Sequence, residues 1–132
     1  MSENLFDIFR ARVRSMDAPF ITLRDGRVYT YADSHAIAAR LAHVLADRGV
    51  VPGDRVLVQV EKTPEAVFLY LACLRAGAVF LPLNTAYRAD ELAYFLSDAE
   101  PKVVVCDPSA QALMDLARER NIARVLTLDA TG

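Results

Sequence analysis

The chain has 132 residues, of which 54% are hydrophobic and 24% charged, enough apolar material to bury roughly two-thirds of its unfolded surface in one core. Its 17 acidic and 15 basic residues are mixed in sign and leave a net charge of -2. That balance excludes a nucleic-acid stripe or a polybasic membrane patch and leaves small molecules or protein as the expected partners.

Met1 to Arg14 carries Glu3 and Asp7 between apolar side chains and contains no apolar signal-type core, and no later run approaches about 18 uninterrupted apolar residues. Neither secretion nor membrane insertion is expected. Leu5, Phe6, Phe9, Val13 and Met16 recur mostly three and four apart, the stripe of a short amphipathic helix. Phe20–Arg24 and Arg27–Thr30 flank Asp25-Gly26, a dipeptide suited to the positive φ angles of a type I′ turn, so a β-hairpin is expected there. Thr30 with Asp33 three residues later reads as a capping box. It opens a helix whose buried face holds Ile37, Leu41, Val44 and Leu45 and which Gly49 closes.

The turn Val50–Asp54 leads into a strand from Arg55 to Val60. Thr63 before Pro64 is an N-cap followed by the favoured first helical residue, and that helix runs through Val67, Leu71 and Leu74 to Gly77. A strand Ala78–Leu83, a helix around Asp90–Ser97, a strand Lys102–Cys106, a helix Ser109–Arg120 and a strand Arg124–Leu128 follow. Strands alternating with helices call for an α/β fold: a layered, mostly parallel sheet with flanking helices, joined by the N-terminal helix and hairpin. The apolar runs around Val56, Val79, Val103 and Val125 suit strands buried on both faces.

Chemistry-bearing motifs are sparse. His35 and His43 fall eight apart on one helix, beyond the spacing that chelates one ion, and read as surface or half-buried histidines. Cys73 sits in an apolar helical pattern and Cys106 closes a β-rich run; with no C-x-x-C pair, two buried structural thiols in a reducing, cytoplasmic setting are expected. Ser34, Ser97 and Ser109 stand in no nucleophile elbow, and no glycine-rich phosphate motif occurs. Arg118-Glu119-Arg120 reads as a solvated helix end with cations where the dipole favours them. Asn84, Tyr87 and Arg88 follow a parallel strand, where α/β folds place ligand contacts, although Asn84 and Tyr87 serve equally well as turn formers. Asp107 ends a buried strand as a phospho-acceptor aspartate would. The acidic pair and the lysine such a site needs are incomplete, and Asp107-Pro108 also suits a turn.

Three stretches carry a resemblance: Glu61–Ala66, Leu74–Tyr87 and Asp98–Asp107, preceded by Gly53-Asp54-Arg55-Val56 after a helix that ends at Gly49. They resemble the N-terminal part of acyl-CoA synthetases, members of the adenylate-forming (AMP-forming) ligase superfamily, and Leu81-Pro82-Leu83-Asn84-Thr85-Ala86-Tyr87 is most similar to malonyl-CoA synthetases. The resemblance implies that residues 1–132 are the N-terminal part of the AMP-binding (adenylation) domain, ending before its phosphate-binding loop. It implies a parent enzyme that uses ATP, Mg2+ and coenzyme A to convert a small carboxylic acid, malonate, to its thioester. The family's phosphate loop, its acidic ATP and Mg2+ residues and its mobile lysine have no counterpart in residues 1–132. No catalytic, cofactor-binding or metal residue is therefore assigned, and the segment alone is expected to be inactive.

The other class of reading is a non-catalytic binding or scaffolding module. An open sheet ending at Leu128 would leave an unpaired edge or apolar patch and favour self-association.

Overall fold

The computed structural model describes residues 15–122 and 124–128, together with Leu5, Asp7 and Ala11. The expected N-terminal helix lies largely outside the described residues. Among them, elements follow in the order β1 (Pro19–Thr22), β2 (Val28–Thr30), α1 (Tyr31–Asp47), β3 (Arg55–Gln59), α2 (Pro64–Ala76), β4 (Val79–Pro82), α3 (Ala89–Ala99), β5 (Val103–Cys106), α4 (Gln111–Glu119) and β6 (Val125–Thr127).

The hairpin forms with a different turn from the one expected. Only Gly26 of the dipeptide has positive φ, +92°, while its N–H donates to Leu23 O at 3.0 Å and Leu23 N–H donates to Arg27 O at 2.8 Å. This is a three-residue loop whose glycine takes the left-handed position, the alternative that the same Asp-Gly pair supports. Asp25 accepts from the backbone N–H and Nε of Arg27. β1 pairs antiparallel with β2, and Tyr29 sets its ring edge-on to Phe68 of α2 at 5.1 Å.

Capping fixes where the helices start and stop. Thr30 accepts from Asp33 N–H while Asp33 accepts from Thr30 N–H, a reciprocal box at the start of α1. Thr63 caps α2 ahead of Pro64. Both helices end on a left-handed glycine, Gly49 and Gly77. Val50 N–H donates back to Leu45 O and Ala78 N–H to Cys73 O, so orphan carbonyls find donors as each chain turns back under its helix.

The larger sheet runs β4-β3-β5-β6 with every pairing parallel. Side-chain alternation divides its core in two. Val56, Val58, Val103 and Val105 pack on one face with Leu45 of α1 and Leu69, Ala72 and Cys73 of α2. Leu57, Val104 and Cys106 pack on the other with Leu92 and Leu96 of α3 and Leu113 and Ala117 of α4. β3 and β5 are buried on both faces, as their apolar runs demand. β4 and β6 depart from that expectation because each has a strand on one side only among the described residues, and Val79 is 42% exposed.

Two further outcomes concern polar side chains. His35 is half-buried and His43 exposed on α1. Arg118 and Glu119 are exposed at the end of α4 as expected, whereas Arg120 is half-buried and its guanidinium crosses to α3, where it donates to Ser97 Oγ and Ala93 O. Among the described residues no helix is long and apolar enough to cross a membrane.

Candidate functional site

Chain order and sheet order disagree at one place. From β3 the chain moves to β4 on one side, then returns past β3 to place β5 on the other side. The crossovers that leave β3 and β5 therefore diverge, opening a crevice above the carboxyl ends of these strands, the location at which open parallel sheets receive ligands. A cleft of about 360 Å3 lies there, lined among others by Gln59, Glu61, Thr85, Tyr87, Asp107 and Ser109.

Each wall comes from a different strand end. After β3, Gln59 is 6% exposed, and its side-chain Nε2 donates to Asn84 O at 3.0 Å. After β4, Asn84 organises the turn: its carbonyl accepts from Tyr87 N–H at 3.1 Å and its side-chain oxygen from Ala86 N–H at 2.8 Å. Thr85 and Tyr87 thereby reach the cleft, and the Tyr87 ring stacks on Phe95 of α3 at 5.4 Å with an interplanar angle of 17°. After β5, Asp107 N–H donates to Gln59 O at 3.3 Å. The Asp107 carboxylate accepts from Ser109 N–H at 2.9 Å and from Ser109 Oγ at 2.6 Å.

Those two donors hold the Asp107 carboxyl below the usual carboxylate range. The side chain is committed to the turn that starts α4, which is the turn role anticipated for Asp107-Pro108. Among the described residues no three or more His, Cys, Asp or Glu side chains cluster as a metal site. Glu61 and Asp107 nevertheless put two carboxylates on one cleft. That wall suits hydrogen bonding and stacking with a polar ligand and opposes direct contact with a phosphate or a dicarboxylate. Cys106, at the end of β5, is buried, and burial and then the Asp107 charge push its thiol up; Cys73 is pushed up to about 12 by burial. Both cysteines are free and neither has the environment of a nucleophile.

Of the candidates read from sequence, Asn84 organises the turn and Tyr87 lines the cleft. Arg88 sits at the N-cap of α3 without a side-chain capping bond. Gln59 is the participant the sequence reading missed. Its signal was a single amide closing β3 directly after the apolar run Val56-Leu57-Val58.

Comparison with known proteins identifies the family and the fold. The model of the family described as AMP-binding enzyme matches residues 8–132. The apo crystal structure of MatB from Rhodopseudomonas palustris is 46% identical with a TM-score of 0.93, covering 100% of this chain and 26% of MatB; its ATP-bound form is 45% identical with the same TM-score. Malpinin synthetase of Mortierella alpina is 39% identical over 120 residues, 89% of this chain and 2% of that protein. The long-chain-fatty-acid–CoA ligase FadD13 of Mycobacterium tuberculosis is 36% identical over 89 residues, 67% of this chain and 18% of the ligase. The chain thus spans 26% of MatB and smaller shares of the other two. With a family match along residues 8–132 and an α/β fold that coincides with MatB over the full chain, this chain belongs to the AMP-binding, adenylate-forming ligases.

Proposed function

We propose that the chain is the N-terminal part of the adenylation domain of an ATP-dependent acid–CoA ligase, with malonate as the acid. What carries the reading is likeness to MatB along all of residues 1–132, together with the Leu81–Tyr87 stretch that resembles malonyl-CoA synthetases. The parent would join malonate to the α-phosphorus of ATP, releasing diphosphate. The coenzyme A thiol would then attack the acyl carbon, expel AMP and leave malonyl-CoA. A carboxylate lacks a leaving group until adenylation supplies one, so positioning and charge stabilisation do most of the work.

In that scheme this segment supplies scaffold and one wall of the ligand crevice. Gln59, the Asn84–Tyr87 turn and the Asp107–Ser109 turn orient whatever lies above β3 and β5. None of them is a nucleophile or a general base for the reaction. The two carboxylates of the wall leave the distal carboxylate of malonate to a cationic partner elsewhere in the parent, where arginine offers planar bidentate pairing. Mg2+ would ride on ATP and find its ligands in the parent's acidic motifs. A cytoplasmic setting suits the two free thiols.

The test is an AMP-release assay with ATP, malonate and coenzyme A. The full-length protein should release AMP only with all three, and the isolated 132-residue chain should release none. Turnover on a long-chain acid but not malonate would overturn the choice of acid, and turnover by the isolated segment would overturn its purely structural role.

A further inference from the structure

We propose that Gln59 is a positioning residue for the ligand crevice: through one side-chain hydrogen bond it sets the Asn84–Tyr87 wall. This deepens, and rests on, the ligase reading above.

Two side chains among the described residues are both polar and buried, Ser34 and Gln59. Ser34 is accounted for locally, because its hydroxyl donates to Tyr31 O three residues back in α1. Gln59 is not: its amide reaches 25 residues along the chain to Asn84 O. An apolar residue there would continue the Val56-Leu57-Val58 run and pack with Leu57 and Cys106 on the same face. A buried amide adds little net stability compared with an apolar side chain of similar shape, so core packing alone does not account for a glutamine.

The acceptor it engages explains the choice. Asn84 O is shared by Gln59 Nε2 at 3.0 Å and Tyr87 N–H at 3.1 Å, which uses both lone pairs of one carbonyl. The second of these bonds closes the turn that presents Thr85 and Tyr87 to the cleft. The first ties that turn to the last residue of β3, whose own carbonyl receives Asp107 N–H from the opposite wall. One residue therefore spans all three strand ends, and its side chain fixes the spacing of the β4 wall from the other two. Without the amide donor the turn keeps its internal bonds and loses its anchor, so the sheet survives while Thr85 and Tyr87 lose their fixed position.

The experiment is made on the full-length protein with Gln59→Leu and with the nearly isosteric Gln59→Met, which lacks the donor at any pH. The first readout is amide hydrogen exchange: Tyr87 and Ala86 should exchange about tenfold faster in both variants, whereas Val104 and Val105 in β5 should keep their protection. The second is steady-state turnover. The KM for at least one of malonate, ATP and coenzyme A should rise about tenfold with kcat within about twofold, the pattern of lost binding geometry. Unchanged exchange at Tyr87, or a loss confined to thermal stability with every KM unchanged, overturns the positioning role. Absence of ligase turnover in the unsubstituted protein would instead overturn the functional reading, and the exchange result would still decide whether Gln59 anchors the turn. Should Gln59→Leu fail to fold, the isosteric variant carries both readouts.

Discussion

Gly77 offers a quantitative test of how sequence enforces the turn from α2 into β4. Its φ and ψ are 72° and 16°, a left-handed conformation that costs an L-residue roughly 1–2 kcal/mol. A Cβ added there would also lie 3.2 Å from Pro52 Cβ. The proline ring cannot rotate away, so the backbone must yield, at about 1 kcal/mol more by analogy with overpacked cores. Gly53 supplies the internal control. It too has positive φ, +90°, but a Cβ would meet nothing within 4 Å, and its N–H donates to Gly77 O in the same pair of loops at 2.9 Å. Gly77→Ala should therefore destabilise the chain by about 2–3 kcal/mol and Gly53→Ala by about 1–2 kcal/mol. Urea unfolding followed by circular dichroism measures both, with the more costly substitution lowering the midpoint by roughly 1–2 M for a slope typical of small domains. Replacing Pro52 by glycine should bring the Gly77→Ala penalty down towards that of Gly53→Ala. Equal penalties for the two alanines, or a larger one at Gly53, would refute the reasoning.

The remaining predictions concern the thiols and the sheet edge. Cys73, ionising near 9.0 when unfolded and at about 12 when folded, contributes stability that is intact below pH 9 and lost as pH rises towards 12. Urea midpoints should fall over that interval, less steeply in Cys73→Ala, and neither thiol should react with a thiol-specific reagent until the chain unfolds; rapid labelling of the folded protein would contradict the burial. Beside β6, a groove of about 350 Å3 lined by Leu41, Val44, Leu69, Val105, Leu126 and Leu128 among others leaves apolar surface next to the end strand. The isolated segment is expected to self-associate at rising concentration in sedimentation velocity, and Leu128→Lys should shift it towards the 14.6 kDa monomer. A monomer at all concentrations would remove that edge as an association surface.

Much of the architecture was legible because it is enforced locally. Thr30 with Asp33, Thr63 with Pro64, and the glycines at 49 and 77 each satisfy or terminate backbone bonds within a few residues, so their meaning survives without the rest of the chain. The turn at Asp25-Gly26 was legible as a turn but not in its type, since one dipeptide serves two backbone solutions: a two-residue loop in which both residues take positive φ, and a three-residue loop that also takes in Arg24 and in which only Gly26 does. The exposure of Val79 was hidden because an edge strand and a central strand can share the same apolar run. Gln59 and Arg120 were missed for a common reason. Their partners, Asn84 and Ser97, lie 25 and 23 residues away, and no short-range spacing rule encodes a contact made by tertiary folding.

The crevice has an owner in each of three strand ends, and a slip of one residue in β5 would turn Val104 and Cys106 to the opposite face and carry Asp107 away from Gln59. No local fragment of the chain can display it. A ligand held there recognises only the fully registered sheet, so its binding free energy adds by mass action to the stability of the entire segment and not to that of the loops it touches. Occupancy would then slow amide exchange in β3 and β5, deep beneath the surface where the ligand rests.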